Sequence, residues 1–152
     1  MKRICFLFFA ITIFFLVPQS WAAEWVSVGT AVGDNNFFYD QESLTRLPNG
    51  IIKVWEKIEY SDKQRREHIK WRISKKYDVD RYNTLNRTLN LIEINCSTRE
   101  SRTLMTADYS STYGPLDSNT YKLQPTEGWT PIIPDSMIEN IYNAVCPPRE
   151  KK

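Results

Sequence analysis

The residue types that carry most enzyme and metal chemistry are sparse in this sequence. His68 is its one histidine, and a general base needs an identifiable partner, which the sequence does not offer. Asp40 with Glu42 and Asp78 with Asp80 form close acidic pairs, but neither pair has the spacing of a calcium loop. The sequence also lacks a glycine-rich phosphate loop and a Gly-x-Ser-x-Gly elbow. We therefore expect no enzyme activity, no metal site and no cofactor.

A run of basic residues with an aromatic side chain among them is the strongest candidate for a binding surface. We call it the basic segment, and it comprises Lys63, Arg65, Arg66, Lys70, Trp71, Arg72, Lys75 and Lys76. Such a cluster can hold an anionic partner, for example a sulfated glycan or an acidic patch of a protein. The alternative, which is the commoner case for charge runs, is a solvated surface whose charge is partly offset by Asp62, Glu67 and Asp78.

The N-terminus predicts export. Two basic residues precede an apolar run from Ile4 to Val17, and Ser20 and Ala22 supply the small residues that a signal peptidase requires. At about 1.5 Å per residue the run reaches about 21 Å, which falls short of the hydrocarbon core of about 30 Å. We therefore predict a cleaved signal peptide over residues 1–22 and a mature form without a membrane span. Its location would be the periplasm, the cell surface or the medium.

Removing the signal peptide changes the charge of the chain. Of the twenty basic residues, Lys2 and Arg3 are lost, so eighteen basic residues face eighteen acidic ones. A nucleic-acid binder normally carries a basic excess, and we expect no nucleic-acid partner. Residues 23–148 suit one domain with one core, and residues 149–152 are expected to form a disordered tail.

The mature chain keeps two cysteines, Cys96 and Cys146. An even number of cysteines in an exported chain predicts a disulfide, and the alternative is two buried free thiols. Closing a loop of about fifty residues stabilises the fold by about 4 kcal/mol on the chain-entropy model. The bond would join the end of a strand to a C-terminal helix.

Alternating apolar and polar residues predict most of the elements that position these groups. The predicted strands are 25–30, 37–39, 51–60, 88–96 and 102–109, with a short edge strand through 121–123. Ser136–Val145 is the clearest helix, since it has an apolar stripe and a capping box of Ser136 and Glu139. These elements predict an α+β domain in which one C-terminal helix packs on a small antiparallel sheet.

The segment 64–77 is ambiguous. Ile69, Trp71 and Ile73 alternate as in a strand, whereas Ile69, Ile73 and Tyr77 are spaced four apart as on a helix. Periodicity alone does not separate these alternatives, and we favour a strand that returns from the hairpin.

Short pieces along nearly the whole mature chain match a known family in their order and spacing. They are Trp25-Val26-Ser27-Val28-Gly29, Phe38-Tyr39-Asp40, Lys53-Val54-Trp55, Glu93-Ile94-Asn95-Cys96, Ile133-Pro134-Asp135-Ser136 and Val145-Cys146. In these pieces the chain resembles the surface-adhesin protein E family. The resemblance implies a secreted or surface-exposed bacterial domain, a sheet with a packed helix and a disulfide between Cys96 and Cys146. It further implies a homodimer and the capture of host proteins such as laminin, vitronectin and plasminogen.

Two functions remain open at this point. The first is an exported, non-enzymatic, adhesin-like module that binds extracellular proteins or anionic glycans. The second is a periplasmic small-ligand-binding or envelope-maintenance protein without adhesin activity. The formally neutral charge of the mature chain and its several tryptophans suit the second function.

Overall fold

The structure is a computed structural model, and it describes residues 23–31 and 33–148. The predicted signal peptide, residues 1–22, and the predicted tail, residues 149–152, lie outside the described residues. Both therefore stay predictions.

Within the described residues, eight strands form one antiparallel sheet. They are β1 (Trp25–Thr30), β2 (Asn36–Asp40), β3 (Thr45–Arg46), β4 (Ile51–Glu59), β5 (Leu85–Asn95), β6 (Glu100–Ser110), β7 (Gly114–Thr120) and β8 (Thr130–Pro131). The main path runs β1-β2-β4-β5-β6-β7, while β3 pairs with β4 and β8 pairs with β6. The predicted strands of the sheet are confirmed. The predicted edge strand at 121–123 is wrong, because the edge is formed by β7, which ends at Thr120.

Two α-helices are present in the described part of the chain, α1 (Asp62–Ser74) and α2 (Met137–Val145). The strand interpretation of residues 64–77 is therefore wrong. The spacing of four residues does not mark a buried stripe either, because Ile73 is exposed and Tyr77 follows the helix. The local reason is an N-cap that follows β4 directly, since the Ser61 hydroxyl accepts a hydrogen bond from the Gln64 N–H at 3.2 Å. The helix ends before Lys76, which adopts a left-handed φ of 60°.

The hydrophobic core lies between α2 and one end of a sheet face. Ile52 and Val54 of β4 are paired with Ile94 and Ile92 of β5, and all four are buried. The helix covers them with its apolar stripe, whose buried members are Ile141, Tyr142 and Val145. This arrangement confirms the predicted α+β class with a packed C-terminal helix.

The disulfide between Cys96 and Cys146 is confirmed, with an S–S distance of 1.98 Å and a Cα–Cα distance of 5.7 Å. It joins the chain just after β5 to the C-terminal end of α2. The Tyr142 hydroxyl adds a second connection, because it donates to the Cys96 carbonyl at 3.2 Å.

The capping of α2 follows the prediction in one of its two bonds. The Ser136 hydroxyl accepts from the Glu139 N–H at 3.3 Å. The Glu139 carboxylate, however, accepts from the Asp135 N–H at 2.8 Å instead of the Ser136 N–H, and it also pairs with Arg99. The Asp135 hydrogen bond and the Arg99 charge both lower the pKa of Glu139.

Candidate functional site

A pocket of about 560 Å³ lies where α1 crosses the polar end of the sheet. We call it the α1 pocket. Along β4 the buried face changes from Ile52 and Val54 to Glu56, and beyond Glu56 the sheet is covered by α1. The base of the pocket is formed by Thr88, Asn90, Thr106 and Asp108, and its roof by His68, Trp71, Arg72 and Tyr77.

Arg72 holds α1 against the sheet through polar contacts. Its side chain is buried, and its Nε donates to the Asp78 carbonyl at 2.9 Å. One Nη donates to Asp117 Oδ2 at 2.8 Å, and the other lies 3.6 Å from Asp108 Oδ2. The guanidinium also lies over the Tyr82 ring, 4.0 Å from its centroid. A charge buried in this way needs such partners, because desolvation of an unpaired cation is costly.

Asp108 is the buried carboxylate at the base of the α1 pocket. Tyr82 donates its hydroxyl hydrogen to Asp108 Oδ2 at 2.8 Å, and Thr88 donates to Oδ1. His68 Nε2 lies 3.7 Å from Oδ2, beyond hydrogen-bond distance, and has no hydrogen-bond partner among the described residues. Burial acts to raise the pKa of Asp108, but the interactions with His68, Thr88 and Tyr82 outweigh it and lower the pKa.

Tyr82 responds in the opposite direction. Burial and the hydrogen bond to the Asp108 carboxylate raise the pKa of its hydroxyl. At neutral pH Asp108 is therefore ionised and the neighbouring Tyr82 is protonated. Arg72 offsets part of the negative charge of the two carboxylates that face it, Asp108 and Asp117.

Aromatic side chains form the rim of the α1 pocket. Trp71, Tyr77 and Tyr121 line the pocket and are 48%, 53% and 42% exposed. The Trp71 and Tyr77 rings meet edge to face, with centroids 5.8 Å apart. Large aromatic side chains with this exposure, next to each other around a cavity, are a typical feature of binding sites.

The structure divides the basic segment into two groups. The first group faces the rest of the domain: Arg72 is buried in the pocket roof, and Trp71 lies at the pocket rim. Arg65, which is half-buried, also belongs to it, donating to the Leu85 carbonyl at 3.3 Å and pairing with Asp62. The other five members are exposed, and we call them the outer face of α1; three lie on the helix, and Lys75 and Lys76 directly follow its last residue. They are Lys63, Arg66, Lys70, Lys75 and Lys76.

One acidic residue partly offsets the outer face. Lys70 donates to Glu67 at 2.9 Å, and this hydrogen bond lowers the pKa of Glu67, with further contributions from Lys63 and Arg66. Lys63, Arg66 and Lys70 are spaced three and four residues apart, so they lie on one side of the helix. The outer face therefore combines a net positive charge with the exposed Ile73 beside it.

Comparison with known protein families supplies the affiliation. The family model described as surface-adhesin protein E matches residues 25–147. The chain belongs to the surface-adhesin protein E family. Membership in this family supports an adhesin-like role without enzymatic activity and is consistent with export.

Solved structures of Haemophilus influenzae protein E are similar to this chain. One of them has 14% sequence identity to this chain and a TM-score of 0.50, and the aligned region covers 85% of this chain and 88% of the protein E chain. The structure of a second crystal form has 15% identity and a TM-score of 0.49, and the aligned region covers 85% of this chain and 91% of the protein E chain. The first likeness shows that the fold is shared. No curated protein sequence matches the chain.

The sequence reasoning for this surface-adhesin protein E family member missed the floor of the α1 pocket. Thr88 and Asn90 share a face with Ile92, and Glu56 shares a face with Val54. The signal that was available is the change from apolar to polar residues along one face of neighbouring strands. The register that aligns these changes into one patch could not be read from the sequence.

Across residues 23–31 and 33–148, the His, Cys, Asp and Glu side chains form no group of three or more that could hold a metal ion. In the same part of the chain, neither helix combines the length and the apolar character needed to cross a bilayer.

Proposed function

We propose that this protein is an exported, non-enzymatic, adhesin-like module that binds host extracellular proteins or anionic glycans through the outer face of α1. The observation that carries the proposal is the exposure of three cations on this helix and two directly after it, next to the exposed side chains of Trp71 and Ile73. Membership in a surface-adhesin family supports the same class of function.

The charges favour a partner that is locally anionic. The mature chain is formally neutral, so the attraction comes from the cluster on α1 and acts over about a Debye length, about 8 Å at physiological ionic strength. Acidic protein patches and sulfated glycans present negative charges at this range. Trp71 and Ile73 add apolar area beside the charges, and partly exposed Trp residues are frequent centres of binding energy in interfaces.

A direct binding experiment tests the proposal. The mature domain, residues 23–148, would be titrated onto immobilised laminin, vitronectin and heparin at physiological salt. A variant with Lys63→Ala and Arg66→Ala should bind about thirtyfold more weakly, because the loss of two surface charges at about 1 kcal/mol each weakens the interface by about 2 kcal/mol. The control carries Arg46→Ala and Lys122→Ala, two exposed cations that are not part of the outer face, and should bind as the parent does. Equal affinity of both variants, or no saturable binding, would contradict the proposal.

A second candidate function is a periplasmic small-ligand-binding or envelope-maintenance protein. The α1 pocket favours it, because its volume lies within the range of about 300–1,000 Å³ that is usual for small-molecule sites. Protease treatment of intact cells separates the two candidates, since a protein exposed on the surface is degraded and a periplasmic one is protected.

A further inference from the structure

We propose that the α1 pocket binds one ring of a neutral saccharide, with the sugar packed against the aromatic rim and its hydroxyl groups bonded to short polar side chains of β7 and the pocket base. This inference goes beyond the proposed function, because it concerns the inner side of α1 and a ligand of different charge.

The charges inside the pocket favour a neutral ligand. The guanidinium of Arg72 is already paired with Asp117 at 2.8 Å and lies 3.6 Å from Asp108. An anionic ligand would have to displace a carboxylate, and a cationic ligand would meet a guanidinium that already lies over the rings of Tyr77 and Tyr82. The lining holds two carboxylates against one guanidinium, which repels an anion, and both carboxylates already face Arg72, which lowers their attraction for a cation.

The polar lining makes an apolar ligand unfavourable. Asn90, Thr106 and Asp108 present amide, hydroxyl and carboxylate groups at the base. These groups already have partners within the protein, since Asn90 donates to Glu56 and accepts from Thr106, and Asp108 accepts from Tyr82 and Thr88. Their remaining donors and acceptors would be left without partners under hydrocarbon, which costs free energy. A ligand for this pocket must therefore be polar and able to both donate and accept hydrogen bonds.

The strand β7 supplies groups that suit vicinal hydroxyls. Ser118 and Asn119 line the pocket, and their side chains make no hydrogen bond within the described residues. An amide offers two donor hydrogens and an acceptor oxygen, and a hydroxyl offers both functions on one atom. The carboxylate of Asp117, whose side chain is 52% exposed, can accept from a further hydroxyl.

The aromatic rim suits the other surface of a sugar. A pyranose ring has a face made of C–H groups, and this face packs on an aromatic ring while the hydroxyl groups point outward. Trp71, Tyr77 and Tyr121 are about half exposed around the opening and supply such rings. The combination of aromatic faces, short polar side chains and charges that are already paired within the protein points to a neutral saccharide.

Titration of the mature domain with oligosaccharides tests the inference. The probes are maltotriose, lactose, mannotriose and N,N′,N″-triacetylchitotriose, with a heparin oligosaccharide as the anionic comparison, each used up to about 10 mM. Binding would be measured by calorimetry and by amide chemical shifts of the labelled domain. We expect at least one neutral probe to bind saturably, with an affinity that does not change with salt, and to shift amides of β7 and α1.

Three variants locate the binding. Trp71→Ala and Asn119→Ala should each weaken binding of the neutral probe about tenfold, the loss expected for one stacking ring or one well-placed polar group. Both residues are exposed, and a thermal melt checks that each variant is folded. The outer-face variant with Lys63→Ala and Arg66→Ala should bind the neutral probe as the parent does.

Distinct outcomes overturn the inference and the proposed function. If no neutral probe binds, or if binding survives both pocket variants, the saccharide site is refuted. If no neutral probe binds, while heparin binds the parent but not the outer-face variant, the proposed function is supported and the saccharide site is refuted. If neutral binding follows the pocket variants and heparin does not bind, the saccharide site stands without an anionic-glycan function.

Discussion

Loss of the Cys96–Cys146 disulfide should strongly destabilise the domain. The two cysteines are separated by 50 positions in sequence. For a closed loop of this length the chain-entropy model gives about 14 cal/mol/K, or about 4 kcal/mol at 25 °C. A typical domain has a net stability of about 5–15 kcal/mol, so this contribution is a large fraction of the total.

The surroundings of the bond add to this figure in the alanine variant. Cys146 is buried in the core cluster beside Ile141 and Val145, and alanine would leave its sulfur contacts unfilled. With an unfolding entropy of about 2.1 cal/mol/K for each of about 126 residues, a loss of 4 kcal/mol lowers Tm by about 15 °C. The double variant Cys96→Ala, Cys146→Ala should therefore melt at least that much lower.

Circular dichroism melts of four samples separate the cross-link from packing. They are the oxidised parent, the parent in reductant with both thiols counted, and the double variant with and without reductant. The reduced parent reports the cross-link, the double variant adds the packing loss, and reductant should not change the double variant. A reduced parent with two free thiols and a Tm within about 3 °C of the oxidised form would refute the chain-entropy estimate for this fold.

Two further predictions concern other parts of the fold. Burial raises the pKa of Glu56 above 4.5, although Asn90 donates a hydrogen bond to its carboxylate at 2.8 Å. The contribution of Glu56 to the stability of the fold is therefore full below its unfolded pKa and is lost as pH rises through its folded pKa. Glu56→Gln should therefore raise Tm near neutral pH and give no gain in Tm below pH 4.5. The control Glu42→Gln, at an exposed site, should leave Tm unchanged at both pH values. An unchanged or lower Tm of Glu56→Gln at neutral pH would contradict this prediction. Ser136→Ala removes the hydroxyl that accepts from the Glu139 N–H. This variant should lower the free energy of unfolding by about 1 kcal/mol, or Tm by about 4 °C. A Tm within about 1 °C of the parent would show that the cap contributes little.

The elements that could be predicted from sequence are those whose side chains separate into an apolar and a polar face. In α2 the stripe that contains Ile141 and Val145 is buried against the sheet, as its spacing indicated. In β4 and β5 the alternation placed Ile52 and Ile92 on the covered face. Burial of these faces is the main driving force for folding, so the pattern that records it is reliable.

Helix α1 could not be predicted in this way because it has no apolar stripe. The residue it buries is Arg72, whereas the neighbouring apolar residues Trp71 and Ile73 are exposed. It contacts the rest of the domain through hydrogen bonds and ion pairs, such as the one between Arg72 and Asp117, which lie 45 positions apart in sequence. The His68 ring adds contacts with the rings of Tyr60 and Tyr82. Hydrophobic periodicity contains no information about such contacts. The division of the basic segment into a buried and an exposed group followed from the same fact.

The same property of α1 explains why a pocket exists beneath it. A helix with an apolar stripe packs closely on a sheet, as α2 does over Ile52 and Val54. Arg72 and His68 instead reach down to Asp108 with long or ring-shaped polar side chains, which cannot fill the space between helix and sheet as interlocking aliphatic groups do. The remaining volume is bounded by polar groups below and by Trp71 above. A helix that is held by polar contacts leaves charges on its outer side and a cavity on its inner side. Helix α1, which the sequence patterns did not predict, therefore contributes to both candidate binding surfaces.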